Sequence, residues 1–203
     1  MKITGIKQQV KRTGRYSVFV DDKYSFSLSD TALLDSKLSV GQELDHQQVR
    51  ELKQASSDDK LYNNTLRYIA IRPRTKWEIE TYLKRKEAPP TLMETILNKL
   101  SINGLIDDEK FAKAFVNDRR LLRPTSRRRM ILELRKKHVA GEIIEAAVGT
   151  EAEHEQVALL TMIEVKRRQS KYQDDLKLMQ YLARQGFSYG DIKSALQDVS
   201  EGR

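Results

Sequence analysis

Arg72-Pro73-Arg74-Thr75, running into Trp77-Glu78-Ile79 and Leu83, recurs 51 residues later as Arg123-Pro124-Thr125-Ser126, running into Met130 and Leu134. At the same offset Met93, Ile96 and Leu97 fall on Ile144, Ala147 and Val148. A further step of 48 residues carries these positions onto Leu178, Leu182, Ile192, Ala195 and Leu196 without a gap across the helix pairs. A unit of about 50 residues repeated three times is the mark of a stacked-repeat architecture, in which each unit buries apolar faces against its neighbours. A single-core helical bundle is the simpler alternative, but the recurring Arg-Pro and the unbroken register favour repeats.

Each unit reads as three helices. Thr75 with Glu78 and Ser188 with Asp191 have capping-box spacing, which satisfies amides left open at a helix start. Pro73 and Pro124 lie two residues before the caps Thr75 and Ser126 and disfavour continuing the previous helix. Pro89-Pro90 ahead of Thr91 and Glu94 is a similar start signal. Gly104, Gly141 and Gly186 mark ends or turns.

The first ~55 residues follow a different period. Tyr16, Val18 and Val20 alternate with polar or outward positions, and Tyr24, Phe26 and Leu28 alternate with serines. Asp21-Asp22 between them suits a tight hairpin turn. With a basic strand before Arg15, this predicts a small antiparallel sheet of about three strands. Tyr16, Tyr24 and Phe26 are expected on its inner face, the alternative being a nucleic-acid-binding sheet. Helical turns are expected near 30–37 and 47–55, and Ser56-Ser57-Asp58-Asp59 reads as a hinge and helix start. The division predicted is a β-rich extension over 1–57 and three-helix repeats over 58–106, 107–150 and 151–203, forming a mainly α, elongated curved array.

Composition fits an array: 39% of residues are apolar and 33% charged, a thin core beneath a large charged surface. There is no cysteine, so disulfides, thiolate metal sites and cysteine nucleophiles are excluded. The opening residues lead into no apolar signal region and no apolar run approaches bilayer length, which points to the cytoplasm. His46, His138 and His154 have no ligand spacing, and phosphate-loop, dinucleotide, zincin and nucleophile-elbow motifs are missing, so no cofactor and no enzymatic role is expected.

The net charge of +8 is concentrated. Arg119, Arg120, Arg123, Arg127, Arg128, Arg129, Arg135, Lys136 and Lys137 lie within 20 residues beside one acid, Glu133, so this stretch alone carries the formal charge of the whole chain. Arginine donates two parallel hydrogen bonds to phosphate, and focused charge of this kind points to a polyanionic partner. A solvated charged face is the alternative. A smaller counterpart in the first repeat, Arg72, Arg74, Lys76, Lys84, Arg85 and Lys86, is interrupted by Glu78, Glu80 and Glu87 and reads equally as a helix laced with i,i+4 pairs. Asp107 and Asp108 read as helix-start carboxylates rather than metal ligands. Trp77 is either a base-stacking platform or, more in keeping with its place, a residue packed between repeats.

Three segments resemble the RecX family: residues 104–119 from Gly104 through Phe111 and Phe115 to Arg119, residues 67–75 running into Trp77, and Arg127-Arg128-Arg129-Met130 running into Leu134 and Lys137. Phe115 stands where members often carry Trp. The resemblance covers residues 58–199 and implies three tandem three-helix repeats. It also implies a regulatory protein that binds the filament formed by the RecA recombinase on single-stranded DNA, modulates its stability and inhibits its activities, from which inhibition of ATP hydrolysis and strand exchange is expected. Apart from the resemblance, no dimerisation segment is seen, so a monomer is expected, with weak binding to duplex. The residues expected to carry that binding are the nine basic residues of 119–137 together with Arg72, Arg74, Lys76, Lys84 and Arg85. A nucleic-acid-binding module independent of the recombinase, or a scaffold, is the alternative reading.

Overall fold

A computed structural model describes residues 1–150 and 152–200. The expected boundary at residue 151 and residues 201–203 lie outside the described residues. Among the described residues three strands, β1 (Ile3–Gln8), β2 (Arg15–Val20) and β3 (Lys23–Ser29), precede ten helices: α1 (Asp30–Ser36), α2 (His46–Ala70), α3 (Lys76–Arg85), α4 (Pro90–Ile102), α5 (Asp108–Leu122), α6 (Arg127–Lys136), α7 (Gly141–Val148), α8 (Ala152–Arg167), α9 (Asp175–Gln185) and α10 (Tyr189–Ser200). A 3-10 turn at Ser170–Tyr172 lies between α8 and α9. The chain forms two compact units, one of Met1–Arg72 with Tyr82–Ile96, the other of Pro73–Thr81 with the chain from Leu97 on.

In the first unit β1, β2 and β3 form an antiparallel meander. Asp21 and Asp22 both take positive φ, 47° and 60°, the pair of left-handed residues that a two-residue hairpin requires. Ile3, Val18, Phe26 and Leu28 pack with Leu44 and Val49 in one core. Tyr24 departs from the expected inner face and is exposed. The register shifts between Val18 and Phe19, so that Val18 pairs with Phe26 and Phe19 with Tyr24. A bulge of this kind inserts one residue and turns the side chains beyond it to the other face. Tyr24 there meets Phe19 edge-on, ring centroids 6.2 Å apart.

The hinge expected at 56–59 is a helix interior: α2 runs through it for 25 residues, opened by a capping box between Asp45 and Gln48. The polar run is explained by what it touches. Asp59 Oδ2 receives Arg15 Nη1 at 3.1 Å and the Ser29 amide at 3.0 Å, and its Oδ1 receives Ser29 Oγ at 2.6 Å. Ser56 Oγ donates to the Ser27 carbonyl at 2.6 Å. Arg15 is 7% exposed and spends its other donors on Ser27. Serine and aspartate look like helix breakers from sequence because they compete for backbone bonds. Here the sheet takes up their polar groups instead.

The three repeats are legible in their caps. Leu83, Leu134 and Leu182 hold equivalent positions and each is fully buried, as are Ile79 and Leu178. After each second helix the chain turns through a left-handed residue at the same register: Glu87, His138 and Gly186, with φ of 57°, 56° and 102°. The following amide then bonds back to the buried leucine, Ala88 to Leu83, Val139 to Leu134 and Phe187 to Leu182, closing three identical helix ends. The second repeat (α5, α6, α7) has its own core around Phe111, Val116, Met130, Leu134 and Ile144. The third (α8, α9, α10) is built around Leu159, Ile163, Leu178, Leu182 and Ile192.

Consecutive repeats in the second unit are joined by one device used twice. Thr75 Oγ1, ahead of α3, donates to the Lys137 carbonyl at 3.0 Å, and Ser126 Oγ, ahead of α6, donates to the Gln185 carbonyl at 2.6 Å. Both hydroxyls are buried and also accept an amide of their own helix. The first amide of each helix bonds to a carboxylate of the next repeat: Lys76 to Asp108 Oδ1 at 2.9 Å, Arg127 to Glu155 Oε2 at 2.7 Å. Asp174 holds the equivalent cap ahead of α9 and accepts from Lys177.

Candidate nucleic-acid interface

The basic stretch folds into the end of α5 and the whole of α6, and the structure sorts its cations into two groups. Met130 and Leu134 anchor α6 in the core of its repeat. Around that stripe, Glu133 is clamped by Arg119 at 2.8 Å and by Arg129 at 3.1 Å. Burial pushes the Glu133 carboxyl up, but the hydrogen bonds and charges of Arg119 and Arg129 outweigh it and hold the group below the ordinary glutamate range. Arg119 also lies 4.7 Å above the Phe115 ring. Arg120 donates to the Val148 carbonyl at 2.8 Å and Arg127 to the Gly149 carbonyl at 2.7 Å, two guanidinium groups closing the C-terminal end of α7, where cations meet the negative pole of the helix. Arg127 pairs in addition with Glu145. Lys137 pairs with Glu78 at 3.0 Å and sits 5.4 Å from the Phe111 ring centroid.

The second group faces solvent. Arg128, Arg135 and Lys136 are exposed, and among the described residues their side chains have no hydrogen-bond or ion-pair partner. Residues 128, 132 and 136 form one row along α6 at four-residue spacing, with 135 beside it. Leu132, 48% exposed, lies between the charges. Arg123, at the end of α5, is likewise exposed and unpaired among the described residues. Unlike Arg119, Arg127, Arg129 and Lys137, these four cations keep their full hydrogen-bonding capacity for a partner.

Arg184 joins this group from α9. With Arg128, Arg129, Leu132, Lys136 and Gly186 it lines a groove of about 360 Å³ between α6 and the end of α9. Reading the basic run alone missed Arg184. The repeat register would have found it, because Arg85, Lys136 and Arg184 are equivalent, each two residues beyond the buried leucine.

In the first repeat, Lys76, Lys84 and Arg85 are exposed, whereas Arg72 and Arg74 have interactions within the protein. Trp77 stacks on His138, centroids 4.1 Å apart and planes at 18°, so it packs between repeats while 38% of it stays exposed. Asp107 caps α5 by accepting the Lys110 amide at 2.9 Å. That amide bond, reinforced by the Lys110 side chain, holds Asp107 below the usual carboxylate range despite an opposing push from desolvation. Glu155, half-buried beside Arg127, is raised, first by desolvation and further by the charge of Asp191. Among the described residues no cluster of His, Asp and Glu has metal-ligand geometry, and no helix is long and apolar enough to cross a membrane.

Family models agree with this layout. Residues 1–45 match the regulatory protein RecX N-terminal domain, 62–100 the first RecX three-helix domain and 107–148 the second. The chain is 30% identical over 206 residues to the regulatory protein RecX of Halalkalibacterium halodurans, covering 97% of this chain and 77% of that one. To the regulatory protein RecX of Bacillus subtilis it is 28% identical over 202 residues, covering 97% and 76%. A crystal structure of regulatory protein RecX superposes with a TM-score of 0.73 at 28% identity, covering 97% of this chain and 98% of that one. With the sheet, the three-helix repeats and the relatives in agreement, the chain belongs to the RecX family of regulatory proteins.

Proposed function

We propose that this protein binds the RecA filament on single-stranded DNA and restrains its ATPase and strand-exchange activities, acting as a cytoplasmic monomer that binds free duplex more weakly. The observation that carries this reading is the solvent face of α6, where Arg128, Arg135 and Lys136 stand unpaired among the described residues with Arg184 across the groove. A face of unspent cations gains by displacing the counterions of a phosphate chain, and several modest interactions add up when a repeat protein engages a polymer. Arg123, Lys76, Lys84 and Arg85 supply further exposed cations to the same partner. The internally paired arginines act indirectly, by fixing the helices that present the free ones.

Co-sedimentation with RecA filaments assembled on single-stranded DNA tests this, with DNA alone and protein alone as controls. The protein is expected in the filament pellet, with DNA-dependent ATP hydrolysis and strand exchange both reduced. If both activities are unchanged at saturating protein and low salt, the reading is wrong. Tight, sequence-selective binding to naked duplex would instead favour a module working without the recombinase.

A further inference from the structure

The two joints of the second unit share a backbone design but differ in what fills the space beside it. Trp77 and Arg128 are equivalent by the repeat register, each two residues past the cap hydroxyl. His138 and Gly186 are equivalent as well, each the left-handed residue that ends the neighbouring helix. At the first joint the space is filled by two flat rings, Trp77 on His138. At the second joint neither ring is present. A Cβ on Gly186 would lie 2.7 Å from Ser126 Oγ and 3.4 Å from Arg128 Cβ, so the backbone is closely approached here and carries no imidazole. The space is the groove beside α6, and its side chains without a polar partner among the described residues are Arg128, Leu132, Lys136 and Arg184.

We infer that this groove binds an unstacked nucleobase together with its phosphate, the base lying against the Arg128 guanidinium and Leu132 and the phosphate meeting Lys136 and Arg184. A guanidinium is planar and weakly hydrated, and it stacks on π systems as an indole does. An exposed leucine amid three cations that are unpaired among the described residues suits a ligand that is flat and apolar on one part and anionic on another. Glu133 does not oppose the phosphate, because Arg119 and Arg129 already neutralise it. On the far side of Arg128 a larger hollow of about 540 Å³ sets Glu155, Asp191 and Asp198 beside Arg127 and Arg128, so it offers an anion less net positive charge than the α6 side, where Glu133 is the one acid among Arg128, Arg129, Lys136 and Arg184. An acidic peptide with an apolar residue would satisfy the charges but not the flat stack that occupies the equivalent joint. The inference deepens the proposed function, since it names what the α6 face would read on a DNA strand.

The test uses the full-length protein without recombinase. Fluorescence anisotropy compares a labelled oligothymidylate with an abasic oligonucleotide of equal length and charge. Binding of the oligothymidylate is expected to be at least about fivefold tighter, within the range of base stacking. Arg128→Lys keeps the charge but removes the plane, and should weaken binding of the oligothymidylate by a larger factor than binding of the abasic strand, so that the preference is lost. Arg128→Trp should restore the preference and lower the salt dependence. Competition by thymidine monophosphate at millimolar concentration would identify free nucleotide as a ligand, whereas competition only by oligomers would identify the strand. Equal affinity for the two oligonucleotides, an Arg128→Lys variant that still discriminates, or displacement of the strand by a Glu-Leu copolymer with no base preference would each overturn the inference. Filament binding without base discrimination would sink this inference alone, and base discrimination without any effect on the recombinase would sink the proposed function alone.

Discussion

Ser126 Oγ donates to the main-chain carbonyl of Gln185 at 2.6 Å while accepting the Arg129 amide at 3.2 Å, so one buried hydroxyl both starts α6 and ties it to the end of α9. Ser126→Ala removes the cap and leaves the Gln185 carbonyl without this donor. The expected loss is about 2 kcal/mol, from a lost cap and an unsatisfied carbonyl. Ser126→Thr, the residue used at the first joint, should recover most of it. Urea denaturation of the three proteins checks both outcomes.

Breaking the buried Arg15–Asp59 pair should be more costly than removing any surface pair. Asp59→Ala leaves the guanidinium, Ser29 Oγ and the Ser29 amide without their acceptor. Stranding a buried charge costs about 3–5 kcal/mol. The expected signature is early melting of the β-rich unit, seen as loss of amide exchange protection in β2 and β3.

Substituting Gly186 strains the second joint on two counts. Its φ is 102°, and an added Cβ would meet Ser126 Oγ at 2.7 Å. Gly186→Ala should destabilise by about 1–3 kcal/mol, the cost of holding a side chain in a sparsely populated conformation. His138→Ala, at a φ of 56° in the ordinary left-handed region, should cost less backbone strain and mainly expose Trp77. Thermal melts compare the two, and the Trp77 emission maximum should shift to the red in His138→Ala only.

Charge removal should separate binding from stability. Arg128→Ala with Lys136→Ala should leave the melting temperature nearly unchanged and weaken DNA binding. The slope of log K against log salt should fall by about 0.7 for each phosphate of a single strand that is no longer neutralised. Arg119→Ala should do the reverse, lowering stability by releasing Glu133 and affecting binding less. Salt titrations and melts on the same samples decide it.

The pH dependence follows the same clamp. The Glu133 carboxyl is held below its usual value in the folded protein, so its ionised form contributes stability that is fully present above the unfolded pKa. That contribution is lost as pH falls through the lower folded value. Glu155 is raised and has the opposite sign, its ionisation costing stability as pH rises through its window. Glu133→Gln should therefore flatten the acid limb of a stability-against-pH curve, and Glu155→Gln should flatten a rise in stability on acidification.

Much of the helical part was legible in the sequence because local signals agree there. Arg-Pro before a hydroxyl residue and leucine at a fixed offset mark the second helix of the first two repeats, and Gly186 marks the end of that helix in the third. Where the sequence misled, a distant partner decided the outcome. Ser56 to Asp59 read as a hinge because their bonds to Ser27, Ser29 and Arg15 span 29 to 44 positions along the chain. Tyr24 changed face because a bulge has no signature in a period-two pattern. The basic run was visible, but its division into paired and unpaired cations depends on Glu133, Glu145, Glu78 and two carbonyls at the end of α7. None of these pairings follows from spacing alone, apart from Arg129 with Glu133 at i,i+4.

The cap ahead of α9 differs in kind from those ahead of α3 and α6. A hydroxyl can hold its own helix and still offer a proton outward, as Thr75 and Ser126 do, but an ionised carboxylate has no proton to offer. Asp174 therefore receives an amide without handing anything on. Grafting another copy of the second repeat downstream of α10 would need Asp174→Ser to create a coupling point, and Ser126→Asp would uncouple α6 from α9 while leaving its own helix start intact.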